Sequence, residues 1–295
     1  MPSVILTPIT TELKGPIGID YHEPTGKVVV SVNYPTGQPH NFELVDESGE
    51  HVPFTKVSGF TDEIKIASVR SGPHQGGFTV GELFTGTGIG GEIARISPDG
   101  LTVQNPWVTL PEEPGGLLRG GLFQDRYGVF GGDLIVVTYT GNVWRVTSWG
   151  EATKVAGLGV QLEGVTTVPN EPVQYGPWAG KIVTGRVGFS SLYAIDASGP
   201  VEEFNLGFVD IEDIDIIPVG EDFFGVDYAS ATIWGAPSAK FAGMEGGFLV
   251  AQEAGGGLWY VHWDNASGGF KVERVALAAQ WEHITFAPPP VSIAE

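Results

Sequence analysis

Short apolar runs, each bounded by Gly, Pro, Asn or Asp and too short to make a helix, return along this chain in a fixed order. Runs of that length between turn residues read as strands. One kind, a lead-in, opens with a polar residue or Gly and often ends at Pro. It occurs at 15–20 (GPIGID), 63–68 (EIKIAS), 119–124 (RGGLFQ), 163–168 (EGVTTV), 212–217 (EDIDII) and 282–287 (EHITFA), with starts 48, 56, 44, 49 and 70 residues apart. A two-stranded hairpin follows each of the first five: KVVVSVN with NFELV, GFTVGEL with EIARIS, DLIVVTYT with NVWRVT, KIVTGRV with SLYAID, and FFGVDY with ATIWGA. A sixth, FLVAQE with LWYVHW, precedes the last lead-in.

With a weaker fourth run after several hairpins, four strands recur at a spacing of about 50 residues, the pattern of a β-propeller. The fold class read from the sequence is therefore all-β, a single propeller domain over 1–295. It has six four-stranded antiparallel blades, with five as the alternative count if 223–236 is an insertion. The stretch 237–247 supplies no lead-in and the final lead-in has no hairpin after it, so the last strand is a candidate to close the ring. Whether the N-terminal strand at 3–10 takes part stays open. A two-sheet sandwich is the competing class, though no Pro/Ser-rich linker divides the chain. Apolar residues in 271–280 also fit a helical spacing.

Composition narrows the partners. Thirty-five acids against 15 bases give a formal charge of −20, and that field repels nucleic acid and anionic membranes. The 44 glycines among 295 residues are about twice ordinary usage and imply many tight turns. Eight Trp and 16 Phe can furnish a large core. No cysteine is present, which removes disulfides, thiolate nucleophiles and Cys-ligated metals. The opening MPSVILTP lacks the basic region and apolar length of a secretion signal. A soluble monomer with a small-molecule or carbohydrate ligand is expected; its compartment is not assigned, and secreted or periplasmic origin with a removed signal is compatible.

Sequence motifs for known chemistries are weak. Gly86, Gly88 and Gly91 match G-x-G-x-x-G, but a pyrophosphate cradle needs a helix next, and 92–97 reads as a strand. There is no Walker A, H-E-x-x-H, G-x-S-x-G or EF-hand pattern. The sequon at Asn265 carries little by itself.

The stronger constellation comes from where the repeats put side chains. In a propeller the start of each inner strand lies on the same face as the loop between second and third strands. The lead-ins bring Glu63, Arg119, Glu163, Glu212 with Asp213, and Glu282 with His283 to that face. The second strands bring Asn33, Glu82, Tyr139, Arg186, Asp227 and Glu253. Thirty-five acids in 295 residues would put fewer than one at six positions, yet four lead-ins open with Glu. Two carboxylates about 5 Å apart repel by about 3 kcal/mol at an effective dielectric of about 20. A ring of them therefore binds a cation or holds protons, unless backbone amides of neighbouring blades take up the charge. Hard oxygen donors without Cys favour Ca²⁺ or Mg²⁺.

Of the six histidines, His283 beside Glu282 and His40 at the end of the 34–40 loop are the candidate proton carriers. Arg119 and Arg186 are candidate anchors for an anionic substrate group. Trp144, Trp234, Trp259 and Trp263 fall on third strands and read as core. Trp107, Trp149, Trp178 and Trp281 are candidates for an exposed stacking surface.

At 162–169 (LEGVTTVP), 211–218 (IEDIDIIP) and 281–288 (WEHITFAP) the chain resembles the six-bladed superfamily of gluconolactonase, regucalcin, paraoxonase and strictosidine synthase. The resemblance implies a central Ca²⁺ that polarises an ester or lactone carbonyl, with Glu163 as the first ligand and Glu63, Asp213 and Glu282 at matching positions. Arg119 and Gly15 depart from that ligand pattern. The chain is more loosely similar to streptogramin-lyase propellers. The expected function is a divalent-cation-dependent, lactonase-like hydrolase of a small ester, lactone or related carbonyl compound. Its alternatives are a carbohydrate- or protein-binding propeller and a streptogramin-lyase-like lyase.

Overall fold

A computed structural model describes residues 4–111, 113 and 121–289. Six four-stranded antiparallel sheets stand in a ring. From the channel outward, blade one is Ile19–His22, Lys27–Ser31, Phe42–Val45 and His51–Pro53. Blade two is Ile66–Ser68, Leu83–Gly86, Glu92–Ile96 and Val103–Thr109; blade three is Gly121–Gln124, Leu134–Val137, Asn142–Val146 and Ala152–Gly157. Blade four is Leu162–Thr167, Ile182–Arg186, Ser191–Ile195 and Val201–Asn205. All six lead-ins thus become inner strands, and the blade count is six.

The last two blades exchange strands. Ile211–Ile216 is the inner strand of blade five, but it pairs with Phe248–Gln252, followed by Gly257–Asp264 and Gly269–Leu277. The hairpin Asp222–Asp227 and Thr232–Ala236, read from the sequence as partner of the fifth lead-in, crosses instead to blade six. There it pairs with the C-terminal inner strand Trp281–Ala287, and the N-terminal strand Thr7–Thr10 completes the outer edge. The 222–236 hairpin and the final lead-in, which has no hairpin after it in sequence, belong together. One blade built from both ends of the chain closes the ring and removes free inner edges.

Two local expectations change. The 271–280 segment is the strand Gly269–Leu277, in register with Gly257–Asp264 over eight residue pairs; a long backbone partner overrides helical spacing. In blade two the second strand begins only at Leu83, so Glu82 lies at the opposite end from the predicted face and is held by the Arg95 guanidinium.

Blades bury each other's faces, so strands covered on both sides read as continuous apolar runs rather than alternating ones; Leu134–Val137 is buried at every residue. Between blades five and six the core gathers Phe223, Phe241, Leu249, Tyr260, Trp281 and Phe286. Near the axis, side chains tie one inner strand to the next. Ser68 N–H donates to Asp20 (2.7 Å), Thr167 Oγ1 to Asp125 (2.7 Å), Ile284 N–H to Asp213 (2.9 Å) and Ile19 N–H to His283 Nδ1 (3.0 Å).

Candidate functional site

Three inner strands carry a bulge at their start. In blade four the pairing steps from Glu163↔Gly185 to Val165↔Thr184, leaving Gly164 extra. In blade five it steps from Ile211↔Gln252 to Asp213↔Ala251, leaving Glu212 extra. In blade six Glu282 and His283 stand opposite Val226 alone. An extra residue bends the strand and re-aims its side chain. Gly164 is required at its bulge for two reasons: its φ is +64°, and a Cβ there would lie 2.8 Å from the Cα of Asp213.

The bulges bring Glu163, Glu212 and Glu282 together around a residue that the acidic pattern did not single out, Lys65. Its side chain is 1 % exposed. The ammonium donates to Glu212 Oε1, to Glu282 Oε2 at 3.1 Å and to the Glu282 carbonyl at 3.2 Å. Gln280 Nε2 bridges Glu253 (2.8 Å) and Glu282 (3.2 Å). Tyr34 donates its hydroxyl to Glu63 at 3.2 Å and packs edge to face on Tyr228.

One ammonium stands among five carboxyls, and burial together with this imbalance raises three of them. Burial pushes the Glu163 carboxyl up; the Lys65 ammonium opposes this and the Glu63, Glu282 and Glu253 carboxylates reinforce it, leaving Glu163 at about 8. Burial and the adjoining Glu163 carboxylate raise Glu212 against the pull of Lys65. Burial and Glu282 also raise Glu253. Burial alone would lower Lys65, but Glu212, Glu282 and Glu163 hold it well above its ordinary value. The centre therefore carries a fixed ammonium and an acid that keeps its proton at neutral pH, a pattern seen at functional sites.

Deeper in the channel, His283 accepts the Ile19 N–H at Nδ1, so its Nε2 bears the proton and faces Asp213 Oδ2 at 3.2 Å. Burial lowers its pKa, with Asp213 opposing. Asp213 also accepts the amides of Ile214 and Ile284. Both side chains hold blades five, six and one together.

The predicted residues thus separate. Glu163, Glu282 and Glu63 share one electrostatic cluster, whereas Asp213 and His283 form a buried pair below it. His40 Nε2 is engaged by Glu43 of the third strand of blade one (2.7 Å), whose other oxygen meets His51. Arg186 ends the second strand of blade four opposite Leu162, on the predicted face, with its guanidinium 3.6 Å from the Phe189 ring centroid. Arg119 lies outside the described residues. Among the stacking candidates, Trp178 and Trp281 are fully buried, and Trp149 is the exposed one.

A divalent cation does not fit these donors as they are disposed. Glu282 and Glu212 are committed to Lys65 and Asp213 to His283 and two amides. Among the described residues no three His, Asp or Glu are grouped as metal ligands. Lys65 could have been found from the sequence: in EIKIAS strand alternation puts it on the face of Glu63, a cation inside an otherwise apolar run.

No family model matches the chain, and no curated protein matches it. Solved structures do. A streptogramin B lyase is 14 % identical with a TM-score of 0.53, covering 97 % of this chain and 92 % of that one. A putative gluconolactonase is 12 % identical with a TM-score of 0.57, covering 95 % and 84 %. A putative glucose dehydrogenase from Thermus thermophilus is 13 % identical with a TM-score of 0.58, covering 95 % and 90 %. At these identities the likeness establishes the propeller fold and leaves function to the site.

Proposed function

We propose that this propeller is an enzyme that acts on a small ester, lactone or related carbonyl compound by proton transfer at the lead-in mouth of its channel. The observation that carries the reading is the convergence of Glu163, Glu212 and Glu282 on Lys65 from four separate blades, which leaves the Glu163 acid protonated at neutral pH. A carboxylic acid whose pKa lies near the working pH is matched to general acid catalysis. Glu163 gives its proton to the substrate carbonyl or leaving oxygen as negative charge develops there. The resulting carboxylate is steadied by the Lys65 ammonium and recovers a proton from the attacking water. Arg186, on the same face, is placed to pair with an anionic substituent. The similar solved structures carry the names of a lyase, a gluconolactonase and a dehydrogenase, which supports an enzyme without selecting its reaction.

The test is a pH-stat assay of the purified protein against a panel of lactones and small esters. The reading expects turnover of at least one member and a loss of about a hundredfold or more in Glu163→Gln, in the range of a missing general acid. Absence of turnover across the panel, or a Glu163→Gln protein as active as the parent, would contradict it.

A further inference from the structure

At the opposite end of the channel a cavity of about 240 Å³ is lined by Arg70, Arg126, His74, Tyr127, Asp215 and Glu221, with Pro218 and Phe286 as apolar wall. The two arginines differ in what they do. Arg70 is spent inside the protein: its guanidinium donates to Asp20 (2.9 Å), Thr285 Oγ1 (2.9 Å) and Glu221 (3.0 Å). Arg126 lies over the Phe123 ring at 4.8 Å, and its nearest carboxylate oxygen, on Asp20, is 3.9 Å away, beyond hydrogen-bond reach. Among the described residues no acceptor lies within hydrogen-bond reach of its guanidinium, and its Nε, like that of Arg70, is buried without a partner. Its side chain is only 23 % exposed.

A buried donor fork with an ion-pair neighbour but no hydrogen-bond acceptor costs stability, and a planar guanidinium matches a carboxylate bidentately. We infer that this cavity is a second ligand site, for a small organic carboxylate received by Arg126 at the mouth opposite the Glu163 cluster. Charge decides between oxyanions. Two guanidinium groups face the Asp20 and Glu221 carboxylates and the Asp215 carboxyl, so the surroundings hold no positive excess. A singly charged carboxylate is accommodated, while a phosphate dianion is repelled. Burial and Asp213 raise Asp215, against the pull of Arg126 and Arg70, so its carboxyl opposes a bound carboxylate less than an ordinary aspartate would. Pro218, Phe286 and Tyr127 supply the surface against which a short carbon skeleton packs.

The test is saturation-transfer NMR and calorimetry on the full chain with benzoate, lactate and inorganic phosphate as probes. The inference expects saturable binding of at least one carboxylate at millimolar concentration, weakened about tenfold or more in Arg126→Met, with Arg126→Lys intermediate because it keeps the charge and loses the fork. Arg126 makes no internal hydrogen bond and Asp20 keeps Arg70, Ser68 and Thr285 as donors, so Arg126→Met is expected to fold cooperatively, as its melting transition will show. Glu163→Gln, at the other mouth, is expected to leave this binding unchanged. Tighter binding of phosphate than of either carboxylate, no carboxylate binding up to about 20 mM, or binding that survives Arg126→Met would overturn the inference.

Discussion

Replacing Lys65 by Met keeps the length of the side chain and removes its charge, so it isolates what the ammonium does. Lys65 is 1 % exposed and holds Glu212 and Glu282, themselves 3 % and 5 % exposed. Taking one partner from a buried ion pair strands the other charges, at a cost of about 3–5 kcal/mol. The loss is also pH-dependent, with a sign that follows from linkage. Without the ammonium the folded-state pKa values of Glu212 and Glu163 rise further above the unfolded value. Groups shifted that way contribute fully below the unfolded pKa and lose their contribution as pH climbs through the folded one. Urea unfolding followed by tryptophan fluorescence should therefore show Lys65→Met losing about 3–5 kcal/mol near pH 8 and recovering much of it near pH 5. Adding Glu212→Gln and Glu282→Gln, which removes the stranded charges, should restore stability near pH 8. A loss below about 1 kcal/mol that is the same at both pH values, the size of an exposed pair, would refute the reasoning.

Glu163, at about 8 against an ordinary 4.5, also costs the parent protein stability as pH rises through that window, so Glu163→Gln should match it near pH 5 and exceed it above pH 8 in the same unfolding assay. Gly164→Ala, forced to hold φ +64° with a Cβ 2.8 Å from the Asp213 backbone, should lose about 2–4 kcal/mol, whereas Gly188→Ala, at φ +70° with open space around it, should lose about 1 kcal/mol. Asp213→Asn disturbs the amides of Ile214 and Ile284 and the His283 pair; it should cost about 2–3 kcal/mol and raise amide exchange in the inner strands of blades five and six. Calorimetry with Ca²⁺, together with chelator in a melting experiment, should show neither heat of binding at the Lys65 cluster nor a shifted melting temperature.

The inner strands were legible because each needs an apolar run bounded by turn residues, and such a run cannot hide in a propeller. Blade identity was less so. The hairpin 222–236 is a sound hairpin wherever it goes, and its crossing to blade six is decided by which inner strand lacks a partner, a long-range condition that no local run records. The acidic lead-ins pointed to the axis, and Glu163, Glu212 and Glu282 do meet there. Which of Glu212 and Asp213 faces Lys65 depends on a bulge, and one inserted residue inverts the alternation that strand reading relies on. A count of acids alone points outside the chain for a relieving cation, whereas Lys65, two residues after Glu63, supplies one from within.

Everything turns on burial and the neighbouring carboxylates outweighing the pull of the Lys65 ammonium, so that Glu163 keeps its proton at neutral pH. Carboxyl ¹³C NMR of protein labelled at Glu Cδ measures this directly. The account predicts one resonance, absent from Glu163→Gln, that titrates with a midpoint near 8. A spectrum in which every Glu carboxyl has finished titrating below about pH 5, the ordinary carboxylate range, would contradict it.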